Sequence, residues 1–329
     1  MSARRLSVAV IQGGPSSEAE VSRASATSIA RALEAAGHRP VRLELDVYLA
    51  DTLRTGGFDV VFPITHGVVG EDGSLQGLLE VLGLPYVGSG VLASALAMNK
   101  RVAKVLFAAA GLPVAPMITA DRGRETAAAA GARAHAALGD RVVVKPCSNG
   151  SAIGVARLDH GASVDEIARA IEAAYAVDEA VLVERFVSGR EVTCGVLELR
   201  DPPALPPTEI RATKDAFYTF QARYASGRSE HLCPAPLGEA RVRRVQEIAV
   251  AAHRALGCRD LSRVDFVVPE EGEPTLLEVN TLPGFTETSL FPEAAGIAGT
   301  PIDELCSGLV IAASERGATR RNTAVPLPK

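Results

Sequence analysis

The chain has 329 residues, enough for two or three domains at about 150 residues each. Hydrophobic residues make up 47% and charged residues 22%, which excludes a wholly disordered chain and a collagen-like one. The net charge of −5 argues against a general nucleic-acid binder, because such proteins normally carry a basic surface.

Cysteine usage and hydropathy indicate a cytoplasmic protein that does not bind membranes. The five cysteines are widely spaced and include no CxxC pair, so neither a disulfide framework nor a zinc site is expected. The first apolar run, Leu6–Ile11, breaks at Gly13-Gly14 and is predicted to be a strand rather than a signal peptide. No apolar run approaches the roughly 18 residues that span a bilayer.

Strand and helix signals alternate through the first hundred residues. This rhythm predicts a parallel sheet with helices on its faces. In chain order, the predicted elements are strand Ser7–Ile11, helix Glu18–Ala36, strands Val41–Leu45 and Phe58–Ile64, helix Leu75–Leu82 and strand Pro85–Val87.

A small α+β domain is predicted over residues 101–188, after an N-terminal domain of residues 1–100. A long helix signal crosses the boundary and ends at a glycine, Gly111. The elements predicted here are helices Ala93–Ala110, Glu125–Leu138 and Val164–Tyr175, and strands Arg141–Lys145, Gly154–Leu158 and Val181–Phe186.

A third domain is predicted over residues 189–315, followed by a flexible tail, residues 316–329. Its middle part, residues 211–236, is polar, aromatic and irregular, and a loop of that length is usually functional or disordered. The predicted elements are strand Val192–Leu199, helix Glu239–Leu256, a hairpin of Arg263–Val268 and Thr275–Asn280, and helix Ile302–Ser314.

The C-terminal hairpin carries the strongest local signal for a site. Glu278 and Asn280 lie two residues apart on a predicted strand and therefore share a face. If the turn centres on Glu271-Gly272, Asp265 lies directly opposite Glu278, with Cβ atoms about 5 Å apart. Carboxylates that close repel each other unless a cation such as Mg²⁺ neutralises them. The alternative is an ordinary acidic strand face, which the apolar flanking residues disfavour.

A loop of small residues follows the strand that ends at Lys145. Residues 146–153 form a turn rich in small side chains before the next strand begins at Gly154. Backbone N–H groups in such a loop can hold phosphates, and the entering lysine supplies positive charge. No Walker motif is present, so a plain glycine hairpin with a surface lysine is the alternative.

Three further segments have both a functional and a structural interpretation. The Gly13-Gly14 turn lacks G-x-G-x-x-G, which disfavours a Rossmann cofactor site, and Glu18 and Glu20 also suit a helix N-terminus. His66 ends a predicted parallel strand, where open α/β sheets bind ligands, although a lone histidine is often structural. The aromatic run 217–224 predicts either a lid that excludes water or a loop pinned to the core.

Together these segments resemble the D-alanine–D-alanine ligase family of the ATP-grasp superfamily. The matching stretches appear in family order, span most of residues 8–300, and are specific as an ordered set. They are residues 66–67 with 70–77, 85–100, 144–146, 183–184 with 189–191, 233–235, 263–265 and 278–286.

The resemblance implies a fold, a reaction and partners. The fold would combine α/β and α+β parts in a three-domain ATP-grasp architecture with an N-terminal parallel-sheet domain. The reaction would join two D-alanines with ATP for peptidoglycan precursor synthesis. The first D-alanine carboxylate attacks the γ-phosphate, and the second D-alanine amine attacks the resulting acyl phosphate. The reaction would require ATP and two Mg²⁺ ions, or Mn²⁺ in their place. The enzyme would be a homodimer in the cytoplasm.

The resemblance also implies which residues bind the nucleotide and the metal. They are Lys100 and Lys145 for the phosphates, Glu184 and Val187 for the adenine edge, Glu191 for the ribose, Phe217, Arg223 and Leu277 as further ATP contacts, and Asp265, Glu278 and Asn280 for the metal.

Substrate binding and catalysis are implied for a second set of residues. They are Glu18 and His66 for the first D-alanine, Ser289 and Leu290 for the carboxylate of the second, Arg263 and the Gly284 N–H for the oxyanion, and Ser151, Tyr224 and Glu18 for closing the lid.

The chain departs from the family pattern at Asn99, Asn149, Ala152 and Arg223, which bears on lid closure and rate more than on fold. Tyr224 favours D-alanine over D-lactate as acceptor. Two alternatives stay open. One is a related ligase for another amino or hydroxy acid in specialised metabolism. The other is an ATP-binding protein without catalysis, which the intact metal set disfavours; a dehydrogenase is more distant.

Overall fold

The computed structural model describes residues 5–150, 152–212 and 229–318. These residues form two compact units. The first combines the N-terminal part up to Val91 with the part from Leu282 onward, and the second is Leu92–Thr281. The predicted domain limits at residues 100, 188 and 315 stay a prediction.

Helices and strands alternate along most of the described chain. The helices are α1 Ala19–Ala35, α2 Leu49–Thr55, α3 Ser74–Leu82, α4 Val91–Met98, α5 Lys100–Ala109, α6 Ala127–Leu138, α7 Val164–Ala174, α8 Glu239–Ala255, α9 Leu290–Ile297 and α10 Ile302–Arg316. The strands are β1 Ser7–Gln12, β2 Arg39–Glu44, β3 Val60–Pro63, β4 Met117–Asp121, β5 Val142–Pro146, β6 Ala156–Leu158, β7 Ala180–Arg185, β8 Arg190–Leu197, β9 Thr208–Ala212, β10 Ser229–Leu232, β11 Leu261–Val268 and β12 Thr275–Asn280.

The first unit is built on a parallel sheet with the strand order β2-β1-β3, which confirms the predicted parallel N-terminal sheet. The apolar side chains of β1 and β3 are buried because helices cover the sheet. Pro85–Val87 was predicted as a further strand, but it contributes only a parallel bridge between Val61 and Tyr86. Helices α2 and α9 were not predicted.

The second unit contains two antiparallel sheets. One has four strands in the order β4-β7-β5-β6, and the other has five in the order β10-β9-β8-β11-β12. Strand β9 overlaps residues 211–212 at the start of the segment predicted to be irregular, β10 lies within that segment, and β4 was also not predicted. No single described helix is long and apolar enough to cross a bilayer. Helices α9 and α10 together have sufficient length and apolar composition, but the pair is bent by 102°.

One predicted helix is two helices in the structure. The Ala93–Ala110 pattern divides into α4 and α5 at Asn99, whose backbone is extended. The Asn99 Oδ1 accepts a hydrogen bond of 3.1 Å from the backbone N–H of Val102, so Asn99 is the N-cap of α5. This cap places Lys100 at the first position of α5 and Lys104 one turn later.

Alternation along the strands of the second unit gives each sheet one apolar face and one polar face. Val142 and Val144 of β5, with Val181 and Val183 of β7, pack against α6 and α7. On β11, Val264, Phe266 and Val268 are buried with residues of α5 and α8. Because side chains alternate along a strand, Val143, Lys145 and Glu184 occupy the other face of the first sheet, and Arg263 and Asp265 that of the second.

Candidate active site

A cavity in the second unit is bounded by the polar faces of the two sheets. Its lining combines apolar side chains with two lysines and several carboxylates, a composition suited to a base and its phosphates. Six of the predicted ATP-binding residues lie in this lining, namely Lys100, Lys145, Glu184, Val187, Glu191 and Leu277. The predicted metal ligand Glu278 lies there as well.

The wall formed by the four-stranded sheet holds a buried charge cluster. Glu184 is only 3% exposed, and its carboxylate forms ion pairs with the ammonium groups of Lys104 and Lys145. Burial by itself would raise the pKa of Glu184, but the two ammonium groups outweigh that effect and hold the pKa below its ordinary value. Glu184 is therefore an ionised hydrogen-bond acceptor at the wall of the cavity.

Lys100 links the small-residue loop to the C-terminal hairpin. Its Nζ donates a hydrogen bond of 2.8 Å to the backbone carbonyl of Asn149 and lies 3.1 Å from the Glu278 carboxylate. The backbone N–H of Lys100 donates to the carbonyl of Cys147, which ties the start of α5 to the same loop. The predicted phosphate loop and the predicted metal ligand are thus joined through one lysine.

The register of the hairpin agrees with the sequence arithmetic at the site. Asp265 of β11 pairs directly with Glu278 of β12, and Arg263 pairs with Asn280. On the other side of β11, Asp265 pairs with Thr193 of β8. Thr193, Asp265 and Glu278 therefore form one row across three neighbouring strands.

The Asp265 carboxylate accepts four hydrogen bonds within the chain. Arg263 donates two of them as a fork, with 2.9 Å from Nε to Oδ1 and 2.9 Å from Nη2 to Oδ2. Thr193 Oγ1 donates to Oδ1 at 2.7 Å, and Asn280 Nδ2 donates to Oδ2 at 3.1 Å. These contacts fix the orientation of the carboxylate and hold Asn280 beside it.

A β-bulge shapes the part of β12 that faces the cavity. The register shifts between Asp265 and Phe266, because Asp265 pairs with Glu278 but Phe266 pairs with Leu276. Leu277 is therefore the extra residue of the bulge. In a regular strand, Leu277 and Glu278 would point to opposite faces, whereas here both line the cavity.

An aromatic ring between two arginines forms part of the apolar lining. The guanidinium carbons of Arg141 and Arg157 lie 4.0 and 4.2 Å from the centroid of the Phe186 ring. Phe186, which directly precedes Val187 in the sequence, and Arg157 both line the cavity. The two cation–π contacts hold the ring in place and make it a firm wall for a flat ligand.

The donor set of the hairpin suits Mg²⁺. No group of three or more His, Cys, Asp or Glu side chains that could hold a metal occurs in the described part of the chain. Asp265 and Glu278 are two directly opposed carboxylates, with the Asn280 amide on the same face. Mg²⁺ is commonly bound by one or two carboxylates that it shares with substrate phosphates, so this small set fits.

In the first unit, the start of α1 is fixed to the carboxyl-end edge of the parallel sheet. Ser22 Oγ accepts from the backbone N–H of Gly13 at 2.8 Å and donates to the carbonyl of Ile64 at 2.7 Å. Glu18, directly before α1, and His66, two residues after Ile64, are both buried at this edge. The nearest carboxylate oxygen of Glu71 lies 3.9 Å from His66 Nδ1.

The predicted second-substrate residues of this unit are also close together. The backbone N–H of Thr286 donates to Ser289 Oγ at 2.9 Å, at the start of α9. A Cβ at Gly284 would lie 3.0 Å from the same oxygen, so the Gly284 backbone approaches it closely. Leu290, the first residue of α9, is buried. Ser151, Phe217, Arg223 and Tyr224 lie outside the described residues.

Among the residues that contact Glu184 and Asp265, Lys104 and Thr193 were not assigned a role from the sequence. Lys104 is one of only five lysines among 34 basic residues and lies in no predicted site motif. Thr193, which bonds Asp265, lies on a strand without a motif. The rarity of lysine was the only available signal for Lys104, and the pairing of β8 with β11 was needed to find Thr193.

Two family models match the chain. The model described as D-ala D-ala ligase C-terminus covers residues 106–311, and the one described as D-ala D-ala ligase N-terminus covers residues 45–89. Together they span both units. The match to the C-terminal model includes the two antiparallel sheets and most of the cavity lining.

Curated relatives cover almost the whole chain. A D-alanine–D-alanine ligase of Geobacter sulfurreducens is 45% identical over 307 residues, which are 93% of each chain. The enzyme of the same name from Pelotomaculum thermopropionicum is 39% identical over 96% of this chain and 99% of its own.

Solved structures share the fold. A crystal structure of D-alanine–D-alanine ligase from Bacillus anthracis complexed with ATP has a TM-score of 0.79 and 29% identity, over 94% of this chain and 98% of that one. A D-alanyl-alanine synthetase A from Vibrio cholerae has a TM-score of 0.82 and 28% identity, over 94% and 99%. These matches confirm the predicted ATP-grasp fold.

Proposed function

The chain belongs to the D-alanine–D-alanine ligase family, and we propose that it uses ATP to join two D-alanines through an acyl phosphate, for peptidoglycan precursor synthesis. The observation that carries the proposal is the cavity of the second unit. There, Lys100 and Lys145 line the same space as Glu278, whose strand neighbour is Asp265. Two ammonium groups that could neutralise phosphates therefore lie beside a pair of carboxylates that could bind a metal, and this supports the proposal.

The nucleotide would occupy this cavity. The ammonium groups of Lys100 and Lys145 neutralise phosphate charge, and the backbone of the loop that begins at Pro146 supplies N–H donors. Glu184 and the backbone at Val187 take the adenine edge, and Glu191 takes the ribose. Leu277 completes the apolar wall, and Phe217 and Arg223 are further proposed contacts.

The metal would be held by Asp265, Glu278 and Asn280. Mg²⁺, or Mn²⁺ in its place, supplies charge neutralisation to the phosphates when it is bound. The chain prepares these ligands: Thr193 and Arg263 orient the Asp265 carboxylate, and Lys100 holds Glu278. Two ions are proposed for the family reaction.

The first step is attack of a D-alanine carboxylate on the γ-phosphate, which releases ADP and forms an acyl phosphate. Glu18 would bind the ammonium group of this D-alanine, with His66 nearby. Holding the carboxylate in line with the phosphorus lowers the entropic cost of the reaction. Lys100 and Lys145 stabilise the charge that shifts toward ADP.

The second step is attack of the amine of the second D-alanine on the acyl carbonyl, followed by loss of phosphate. Ser289 and Leu290 would receive the carboxylate of this D-alanine. Arg263 and the Gly284 N–H would stabilise the oxyanion of the tetrahedral intermediate. Ser151, Tyr224 and Glu18 would close the site, which keeps water from hydrolysing the acyl phosphate.

We further propose a cytoplasmic homodimer that acts on D-alanine and ATP and binds neither nucleic acid nor membranes. The proposed use of ATP supports a cytoplasmic location, and the net charge of −5 supports the absence of nucleic-acid binding. The homodimer is proposed from the family resemblance alone. Size-exclusion chromatography with light scattering tests the dimer, and a mass equal to one chain of 34.3 kDa would contradict it.

ADP release and dipeptide formation test the function together. Purified protein with ATP, Mg²⁺ and D-alanine is expected to release one ADP for each D-alanyl-D-alanine detected by mass spectrometry. L-alanine is the matched control and is expected to give neither product. D-lactate and other D-amino acids complete the panel. Turnover with another pair but not with D-alanine would refute the proposed substrate, and ATP binding without any ADP release would refute the enzymatic function.

A further inference from the structure

We infer that Lys104 is a positioning residue that keeps the Glu184 carboxylate ionised and fixed, so that the cavity selects a nucleobase with an amino group at that edge over one with a keto group. This inference rests on the proposed use of ATP. It concerns a residue that has no place in the mechanism above.

Lys104 lies behind the cavity wall. Its side chain is fully buried, whereas Lys100 and Lys145 line the cavity. The Lys104 Nζ forms an ion pair with Glu184 and lies 3.3 Å from the carbonyl oxygen of Leu276. Lys104 thus reaches the cavity only through Glu184.

The position of Lys104 gives it a role that Lys145 cannot fill alone. An isolated carboxylate as buried as Glu184 would be strongly destabilised in its charged form. Lys145 also pairs with Glu184, but its side chain is 12% exposed at the cavity, where phosphates compete for it. Lys104 is fully buried and does not line the cavity, so its contact with Glu184 does not depend on whether a nucleotide is bound.

An ionised carboxylate distinguishes bases by whether they present a hydrogen-bond donor to it. It can only accept hydrogen bonds, so it matches the exocyclic amine of adenine and repels the keto oxygen of hypoxanthine or guanine. A protonated Glu184 would carry an O–H donor and could pair with a keto oxygen. ITP is the sharpest probe, because it replaces the adenine amine by a keto group and adds no further substituent.

The decisive variant is Lys104→Met, which keeps the length and apolar stem of the side chain but removes the charge. The ratio of kcat/KM for ATP to that for ITP is expected to fall by about 10-fold or more, through a higher KM for ATP and a lower one for ITP. The KM for D-alanine is expected to stay unchanged. Arg101→Met is the matched control, because Arg101 lies on the same helix and pairs with Asp121 instead.

A double-mutant cycle with Glu184→Gln keeps the test decisive if Lys104→Met does not fold. The double variant has no unpaired charge at these two positions. If Lys104 acts through Glu184, the double variant and Glu184→Gln have the same ATP-to-ITP ratio. A further change in the ratio on adding Lys104→Met would overturn the inference.

The outcomes separate this inference from the proposed function. A wild-type protein that forms no ADP with ATP and D-alanine refutes the function. A wild-type protein that prefers ATP, beside a folded Lys104→Met variant with the same preference, refutes only the role of Lys104. Lower stability with an unchanged ATP-to-ITP ratio would show that Lys104 is merely structural.

Discussion

Replacing Asp265 by asparagine tests both the metal assignment and the hydrogen-bond fork that orients the carboxylate. The substitution preserves the shape of the side chain but removes its charge and turns one oxygen into an N–H donor. With the amide nitrogen at Oδ2, it opposes donors from Arg263 and Asn280; with the nitrogen at Oδ1, it opposes donors from Arg263 and Thr193. Either orientation loses two of the four hydrogen bonds.

The expected loss of stability follows from this geometry. Hydrogen bonds to a charged group contribute about 1.5–3 kcal/mol each when buried, and the Asp265 side chain is 16% exposed, so the lower end applies. We expect Asp265→Asn to lower the free energy of unfolding by roughly 2–4 kcal/mol. The loss of a carboxylate beside the phosphates is expected to lower kcat for ADP formation about 10²–10³-fold.

Urea denaturation and Mg²⁺-dependent ADP release measure the two effects. Asp121→Asn is the matched control, because Asp121 accepts a 2.9 Å hydrogen bond from Arg101 in the same unit and is 29% exposed. It is expected to cost at most about 1 kcal/mol and to leave the Mg²⁺ dependence unchanged. If Asp265→Asn keeps kcat within about threefold of the parent, the metal assignment is wrong. If its stability falls no more than that of Asp121→Asn, the fork contributes little.

Three substitutions and one alkylation reaction test other parts of the structure. Gly189→Ala would place a Cβ 2.5 Å from a backbone carbonyl oxygen and should lower unfolding free energy by about 1–3 kcal/mol in denaturant titrations. Gly77→Ala, in α3 with nothing within 4 Å, should raise it by up to about 1 kcal/mol, and equal effects would contradict the packing argument. Lys100→Met removes the 3.1 Å ion pair with Glu278 and should weaken ATP binding about 10–100-fold by calorimetry, whereas an unchanged Kd would remove Lys100 from the phosphate site. Burial raises the pKa of the Cys147 thiol to about 11, so its alkylation by iodoacetamide in the folded protein should be slow at pH 8 and rise up to about pH 11; labelling at pH 8 as fast as in the unfolded chain, read by mass spectrometry, would contradict this.

The pairing at the site was predictable because β-hairpins obey a simple arithmetic. A turn centred between Glu271 and Gly272 pairs Asp265 with Glu278, and the structure has that pair. The bulge was not predicted. Between the bulge and the turn, the observed pairing is shifted by one residue from the predicted pairing. Two adjacent leucines, Leu276 and Leu277, interrupt the alternation of apolar and polar residues along β12, and this interruption was the available sequence signal for the bulge.

Helix periodicity located the α5 segment but not its start. The apolar pattern continues through Asn99, so a single helix was predicted. The structure breaks there because the Asn99 side chain satisfies a backbone donor that a continuing helix would have bonded itself. The identity of the residue, an efficient N-cap, was a better guide than the pattern.

Long-range contacts were beyond what the sequence could provide. Lys104 and Glu184 are 80 positions apart, and their pairing depends on the way α5 packs against β7 and β12. A pattern of apolar positions on α5 does not distinguish a buried lysine from one at the surface. Lysine is rare in this chain, which makes Lys104 conspicuous in the sequence, but only the fold shows what Lys104 contacts.

The extra residue in β12 has a consequence for how the cavity is built. Because Asp265 pairs with Glu278 and Phe266 with Leu276, removing Leu277 would leave a continuous ladder with every other partner retained. The scaffold of the hairpin is therefore complete without it. Leu277 is an insertion of one residue that the strand pairing does not need. Deletion of Leu277 should therefore give a protein that still folds but lacks part of the apolar wall of the cavity.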